Sequence, residues 1–364
     1  MTTTPDTGAT DQSPSLWLSF WAILRSNPLF RYLLRRLGLA VLALVGVIGV
    51  AFFLTSVLPG NPAVVRAGPL ANEERIERYE REMGLDRPLV VQFADYVVHL
   101  AQGDLGESWS SRQPAQDELR ARIPATVELG IVAFGLTLAI SLPLGILAAV
   151  YQGTIIDWVI RLFATFGASV ALFWLALIGI HLFYYEWDIA PPPLDRLTIG
   201  TEEPPSVTGL FTIDSLLAGD IKTCRDALNH LWLPAMTLAL VVSAPMTKMI
   251  RSAMLETLDK DFIRTARAVG LPPRTIILVD ALRSAFIPVL TTSGIVFGYL
   301  VAGNVIVERV FSWAGVGQYV WQALDANNLN AVRGFILLIA VVYIVLNLVI
   351  DLLYSLLDPR IRLN

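Results

Sequence analysis

The sequence predicts an all-α, polytopic membrane protein with six transmembrane helices. Three observations carry that prediction. Composition is the first: 55% of the 364 residues are hydrophobic and 16% are charged, against about 45–50% and about 25% in soluble domains. The mean hydropathy is +0.60. The second is a set of six apolar stretches, each near the ~20 residues that cross ~30 Å of hydrocarbon. The third is the sign of the charge between them, which alternates as the positive-inside bias requires. This composition excludes an ordinary soluble enzyme and a disordered chain. The single cysteine, Cys224, permits no internal disulfide.

The first span runs from about Leu37 to Leu58. It is too long and starts too late for a cleavable signal peptide, so it is expected to be retained. The others run from about Val127 to Val150, Val159 to Tyr184, Leu231 to Ile250, Ala285 to Ile306 and Phe335 to Leu356. Pro143, Pro234, Pro245 and Pro288 fall in or beside these spans. Such breaks survive in lipid only where neighbouring protein or water satisfies the freed carbonyls, so the helices are expected to pack around a pathway. Arg31, Arg35 and Arg36 precede the first span and place the N-terminus in the cytoplasm. The connection between spans four and five holds seven bases against four acids. That between spans three and four holds three bases against eight acids. Six spans with both ends inside, Arg360 and Arg362 included, agree with these counts.

Outside the spans, residues 1–14 are too polar to order themselves. Residues 15–30 carry Trp17, Phe20, Trp21 and Leu24 at helical spacing, which suits an interfacial helix; a disordered tail with stray aromatics is the alternative. Residues 1–30 are therefore separated from a membrane domain over 31–364. In the long first outer loop, Asn72 is placed to cap a charged helix with Glu73 and Glu74 in its first turn, and Gly84 to stop it. A second helix follows Pro88, with Leu89, Phe93, Tyr96 and Leu100 on one stripe and Gly103 at its end. The insert over 186–229 contains Pro191–Pro193 and Pro204–Pro205 and is expected to be irregular, in part polyproline-like.

The longest cytoplasmic loop, 251–284, is predicted to form two short helices that part at Gly270-Leu271-Pro272-Pro273. Thr265, Ala266, Ala268 and Gly270 are small, and small side chains let a helix approach a groove closely. Arg264 and Arg267 flank them and are placed to pair with acids on a partner. The alternative is an ordinary basic loop obeying the positive-inside bias. Elsewhere the chemistry is sparse. No lysine follows a glycine, so there is no phosphate-binding P-loop, and HExxH, GxSxG and CxxC are absent. His99, His181 and His230 have no metal-ligand spacing. Glu128, Asp157 and Asp351 lie near span ends, where structural roles are expected. No catalytic, metal or cofactor residue is assigned. The arginines, 24 of the 27 bases, do not cluster as a nucleic-acid footprint does.

DFIRTARAVGL resembles the coupling-loop signature of binding-protein-dependent ABC-transporter permeases, Glu-Ala-Ala, three residues, then Gly. Arg264-Thr265-Ala266 and Gly270 occupy that register, and Arg-Thr-Ala-Arg-Ala is typical of the dipeptide/oligopeptide/nickel branch. Arg35–Ala63, Met83–Val97, Gly103–Trp109 and Arg122–Gly130 resemble successive parts of the same branch. So do ERVFSWAGVGQ (Glu308–Gln318) and LLDPRIRL (Leu356–Leu363). The resemblance runs from about Phe30 to the end and is to the first of the two permeases. Asp280 stands where the branch usually has His, Val269 where Lys is common, and the 186–229 insert is longer than usual.

The resemblance implies the type I importer permease fold with a helical outer loop, in a bacterial inner membrane. It implies that Arg264, Thr265, Ala266, Arg267, Ala268, Gly270 and Leu271 meet an ATPase. Two cytoplasmic ATPase subunits would bind ATP and Mg, a second homologous permease would complete the pathway, and an extracytoplasmic binding protein would deliver cargo. Di- and oligopeptides are the commonest cargo of the branch; nickel, glutathione, opines and oligosaccharides are others. Two other classes have six-span members. An ion-coupled secondary carrier would need ionisable groups near the bilayer midplane, and the centres of these spans lack them. A membrane scaffold without cargo is the other.

Overall fold

Apolar segments with no water to bond their backbone fold as helices that satisfy each amide internally. The computed structural model describes residues 28–57, 62–68, 70–109, 111–302 and 304–357. The polar tail, the interfacial residues before Pro28, and Arg360 and Arg362 lie outside them. Helix α1 (Pro28–Val57) opens the bundle. Three shorter helices follow: α2 (Pro62–Ala67), α3 (Glu73–Glu82) and α4 (Leu89–Ala101). Then come α5 (Ala115–Val150), α6 (Ile155–Ser169) and α7 (Leu172–Ile180), the last extended by a π-helical turn, His181–Glu186. Helix α8 (Phe211–Leu217) precedes α9 (Ile221–Leu258) and the short α10 (Asp261–Ala268). One turn (Pro273–Thr275) and a π-helical turn (Ile276–Ala281) lead into α11 (Leu282–Val301). Helices α12 (Val305–Val310) and α13 (Val316–Asp325) form a hairpin before α14 (Leu329–Leu357). Among the described residues there is no strand, only an isolated bridge between Glu107 and Pro114.

Five helical segments are long and apolar enough to cross a membrane, and the pair α6–α7 makes a sixth passage. One end of the bundle carries the connections 58–114, 187–220 and 302–328 and is called the insert end. The other, the loop end, carries the 151–154 turn and the 259–272 connection. Helix α9 runs through the middle, burying Leu231, Leu238, Met246, Ile250 and Met254. Lipid tails are as apolar as leucine, so helix pairing relies on close packing of small residues. At Gly145 of α5 a Cβ would stand 2.6 Å from Ile250 Cβ and 3.2 Å from the Thr247 carbonyl oxygen. At Gly167 of α6 it would stand 3.3 Å from Ala244 Cβ.

The structure departs from the sequence expectations in four places. The third span is not one helix: α6 and α7 are bent by 99° at Val170-Ala171, where the backbone is extended. The helices outrun the apolar cores. Helix α5 has 36 residues, about 54 Å at 1.5 Å per residue, so its polar first turns stand outside ~30 Å of hydrocarbon. Arg35 and Arg36 likewise lie within α1 rather than before it. The loop over 251–284 holds one short helix: residues 251–258 complete α9, and the expected second helix is the start of the fifth span. The insert is partly helical, with α8 and the first turns of α9 inside it.

That insert is tied down by charge. Glu128 and Arg196 are both buried, with Arg196 Nη2 2.6 Å from Glu128 Oε2. The Thr212 N–H and hydroxyl both donate to Glu128 Oε1, at 2.8 and 2.6 Å. The Arg196 guanidinium lies 3.5 Å from the Phe211 ring centroid and donates to the Gly209 carbonyl. Glu128 therefore has the structural role expected of it. Asp214 organises the turn before α8. Burial pushes its carboxyl up, but the Thr208 hydroxyl and N–H, then the Gly209 and Val207 N–H groups, outweigh that and leave it below its ordinary value. A depressed carboxyl contributes stability that is present above its unfolded pKa and lost as pH falls through the folded one. Corrected hydrogen exchange at Val207, Thr208 and Gly209 is thus expected to accelerate below about pH 4. In Asp214→Asn these amides should be unprotected at neutral pH as well. Equal protection at neutral and acid pH in the parent protein would contradict this.

The helices of the first long connection follow the caps read from sequence. Asn72 accepts from the Arg75 N–H at 3.2 Å, and Gly84 adopts φ +65° just beyond α3. Phe93 and Tyr96 of α4 pack on Phe52 of α1, with ring centroids 5.3 and 5.8 Å apart. Arg333 of α14 lies over both Phe52 and Tyr96. Leu89, expected on the same stripe, is exposed.

Candidate functional site: a short exposed helix anchored to the bundle

Helix α10 is held chiefly by Ile263. Ile263 is fully buried, in the apolar cluster that also contains Met254 of α9 and Ile276 and Ala281 of the π-helical turn. Ala266, three residues on and so on the same face, is half-buried against that cluster. The remaining predicted residues, Arg264, Thr265, Arg267, Ala268, Gly270 and Leu271, are all exposed. The structure thus gathers the predicted set on one element and divides it: Ala266 faces the bundle and the others face outward.

Gly270 sets where the element ends. It adopts φ +84°, a region glycine enters without a Cβ clash. Its N–H donates to the Arg267 carbonyl (3.1 Å), and the Leu271 N–H donates to the Ala266 carbonyl (3.2 Å). These two bonds make the Schellman closure. Pro272 and Pro273 then prevent the helix from continuing. A Cβ at Gly270 would meet no atom within 4 Å, so the backbone angle, not space, requires glycine.

The exposed side of α10 mixes charge with apolar surface. Arg264 lies 3.3 Å from Asp261, but both side chains are largely in solvent, and such pairs contribute little. Arg267 meets no acid among the described residues. Phe262, Val269, Leu271 and Leu278 are exposed, Val269 to 76%. Phe262, Val269 and Leu271 lie on or just beyond α10, whereas Leu278 falls in the apolar segment that begins at Pro273.

Behind α10, the loop end is fixed by Asp157. Its carboxylate is 1% exposed and receives a forked pair of bonds from Arg251 of α9, Nε to Oδ1 at 2.8 Å and Nη2 to Oδ2 at 2.9 Å. The Gly153 N–H donates to the same carboxylate at 3.0 Å. Asp157 is in the first turn of α6 rather than in the preceding connection. Asp351, the third acid, pairs with Arg36 at 2.8 Å and joins α14 to α1.

At the insert end a second carboxyl group fastens the α12–α13 hairpin to α5. Glu308 is fully buried. Thr126 Oγ1 donates to its Oε1 at 2.7 Å, and the Gly317 and Gln318 N–H groups donate to its Oε2 at 2.7 and 3.1 Å. The Trp313 indole N–H donates to the Ala125 carbonyl at 2.9 Å. A Cβ at Gly315 would collide with the Glu308 carboxyl and the Thr126 hydroxyl, and one at Gly317 would stand 2.8 Å from Val305 Cα. The E…W-x-G-x-G string therefore records one packed joint. Sequence reasoning named the string but not the joint, and it missed Ile263 as the anchor of α10. The apolar pair Ile263–Ala266, at helical spacing, was the available signal. Of the histidines, His99 and His230 each place Nδ1 against a carbonyl four residues back, and His181 lies 3.6 Å from Glu186.

A six-passage helical bundle with a capped end and an anchored, outward-facing short helix at the other defines a polytopic transport-type membrane component. Residues 141–363 match the description of the binding-protein-dependent transport system inner membrane component, and residues 29–130 match its N-terminal counterpart. The chain belongs to the family of binding-protein-dependent transport system inner membrane components. It is a permease subunit, the membrane-spanning part of a larger transporter complex, and not itself the catalytic part.

Among its relatives is the probable D,D-dipeptide transport system permease protein DdpB of Escherichia coli (strain K12). That protein is 43% identical over 94% of this chain and 98% of its own. The dipeptide transport system permease DppB of the same strain is 37% identical over 92% and 99%. The di/tripeptide transport system permease DppB of Pseudomonas aeruginosa (strain UCBPP-PA14) is 39% identical over 91% and 98%. A solved structure of the MetNI methionine ABC transporter in an inward-facing conformation is similar over 67% of this chain and 97% of that one. Its TM-score is 0.47 at 16% identity.

Proposed function

We propose that this chain is one of two homologous permeases of an ATP-driven importer of di- and oligopeptides, and that it forms half of the pathway. The loop end faces the cytoplasm, together with both termini, in accord with the basic connection between α9 and α11 and the acidic insert between α7 and α9. The insert end then meets an extracytoplasmic binding protein that delivers cargo. The names of the relatives support the peptide class. ATP and Mg are bound by two cytoplasmic ATPase subunits, and none of this chain's residues holds a cofactor.

The observation that carries the mechanism is the form of α10. Arg264, Thr265, Arg267, Ala268, Gly270 and Leu271 present a small, basic, partly apolar surface, while Ile263 and Ala266 root the helix in the bundle. A groove on an ATPase subunit with acids at its rim would accept that surface. Closure of the ATPases would push α10, and Ile263 would pass the displacement to α9 and to the start of α11 as a rigid-body movement. The acids of the bundle, Glu128, Asp157, Glu308 and Asp351, are each held by named partners, which accords with a nucleotide-driven cycle and not an ion-coupled one.

The test is uptake by the assembled transporter in membranes. Gly270→Trp is expected to lower uptake at least about tenfold, equivalent to ~1.4 kcal/mol of lost coupling, with normal insertion. Reversing both charges, Arg264→Glu with Arg267→Glu, should do the same. Gly270→Ala strains the cap but adds little bulk, so it should fall between. Unchanged uptake in a fully inserted double charge reversal would rule out α10 as the contact.

A further inference from the structure

Between α5 and α13, at the insert end, lies a cleft of about 280 Å³ lined by Ser111, Glu118, Arg122, Tyr319, Gln322 and Asn328. Small-molecule sites begin near ~300 Å³, so its size suits a small polar molecule. Glu118 and Arg122 are four residues apart on α5 with the acid nearer the N-terminus. A helix-surface pair of that kind normally closes. Here it is open. The Tyr319 hydroxyl donates to Glu118 Oε2 at 2.8 Å, and the Arg122 guanidinium lies over the same ring, 5.3 Å from its centroid. Arg122 makes no hydrogen bond or ion pair with any described residue. Burial, then the bond to Glu118, pushes the Tyr319 hydroxyl well above its ordinary value, so it stays a neutral donor at physiological pH. Tyr319 thus props apart two opposite charges that both border one cleft. Among the described residues, Glu118 retains an oxygen that accepts from no donor, and Arg122 retains its whole fork.

We propose that this cleft binds the two charged ends of a short zwitterionic peptide, the ammonium at Glu118 and the carboxylate at Arg122. The spacing selects a peptide over a free amino acid. Side chains at i and i+4 have Cβ atoms about 5–6 Å apart. A dipeptide carries its charges on two Cα atoms about 3.8 Å apart and directs them away from each other, whereas a free amino acid carries both on one carbon. The planar guanidinium takes a carboxylate through two parallel bonds, the Tyr319 ring borders the cleft, and Ser111 and Gln322 on the same lining carry groups that can bond a peptide amide. The inference rests on the peptide reading above and deepens it, because the cleft opens at the end proposed to receive cargo.

The test uses the full chain in lipid nanodiscs, titrated calorimetrically with L-Ala-L-Ala, its N-acetyl form and its C-terminal amide. The parent protein should bind the unblocked dipeptide and lose about tenfold or more in affinity for each blocked form. In Glu118→Gln, acetylation should cost nothing further while amidation still does; in Arg122→Gln the pattern should reverse. The blocked peptides test the parent protein directly, so a poorly folded variant does not spare the inference. Absence of L-Ala-L-Ala binding, or equal binding of all three peptides, overturns it. Uptake of labelled L-Ala-L-Ala by the assembled transporter, measured in parallel, separates the two claims. Uptake without discrimination at the cleft defeats only this inference, and absence of uptake defeats the peptide reading.

Discussion

Glu308→Ala is expected to lower the melting temperature of the detergent-solubilised protein by many degrees, with most of the loss localised to the insert end. The Glu308 carboxyl is fully buried and receives the Thr126 hydroxyl and the N–H groups of Gly317 and Gln318. Truncation removes the acceptor and leaves these donors in a dry site. Each stranded buried group costs about 1–3 kcal/mol, so even with partial relaxation the sum is on the order of 3–5 kcal/mol. Glu308→Gln keeps the shape and one oxygen for the two N–H groups, and its amide can donate to Thr126 Oγ1, which already accepts from the Val316 N–H at 2.9 Å. That variant should retain most of the stability. Proteolysis should follow the same order, with cleavage between α11 and α13 fastest in the alanine variant. Were Glu308→Ala to melt within about 1 °C of the parent, the hairpin would be held by its apolar contacts instead. The joint also bears on the cleft, because α13 carries both the bonded amides and Tyr319.

Local pattern decided what was legible in the sequence. Apolar run length located the membrane passages, since each needs only a stretch of residues that tolerate lipid. Caps were legible for the same reason: Asn72 and Gly84 act within one turn of themselves, and Gly270 with Pro272 and Pro273 ends α10 where expected. Hydropathy counts residues and not direction, so it passed over the 99° bend between α6 and α7, where the sequence stays apolar. It also clipped the ends of long helices, because the polar first turns of α5 leave the hydrocarbon while remaining helical.

What was not legible is non-local. Glu128 is 68 residues from Arg196 and 84 from Thr212, and Thr126 is 182 from Glu308. No periodicity within one segment encodes such a contact. The candidate site divided along the same line. Its proposed exposed residues lie in one short string and could be named from it, whereas the dependence of α10 on Ile263 needed the neighbouring helices to be placed first. Gly315 and Gly317 belong to a string that the sequence marked only by resemblance, whereas the structure shows that they leave room for a carboxyl group.

Asp157→Ala is expected to be the most damaging substitution at the loop end, and more damaging than removal of its partner Arg251. The asymmetry follows from what each change strands. Without Asp157, the Gly153 N–H and the Arg251 fork lose their acceptor together, and breaking a buried pair from one side typically costs about 3–5 kcal/mol. Without Arg251, as in Arg251→Met, Asp157 keeps the Gly153 N–H and has Arg161 Nε within 3.4 Å. Arg161 is half in solvent and can shift toward it. The double variant Asp157→Ala with Arg251→Met should therefore melt higher than the sum of the two single losses predicts, because its second change removes a charge that the first had stranded. Strict additivity would show that the two side chains do not support each other. Thermal melts of the four proteins decide this.

A functional consequence should accompany it. Arg251 lies in the last two turns of α9, immediately before α10, so the clamp joins the helix that leads into α10 to α6 and to the 151–154 turn beside it. If α10 drives the bundle as proposed, Asp157→Ala should reduce uptake even at temperatures well below its melting point, while nucleotide hydrolysis by the assembled transporter continues. A parallel fall in both activities would instead indicate loss of assembly.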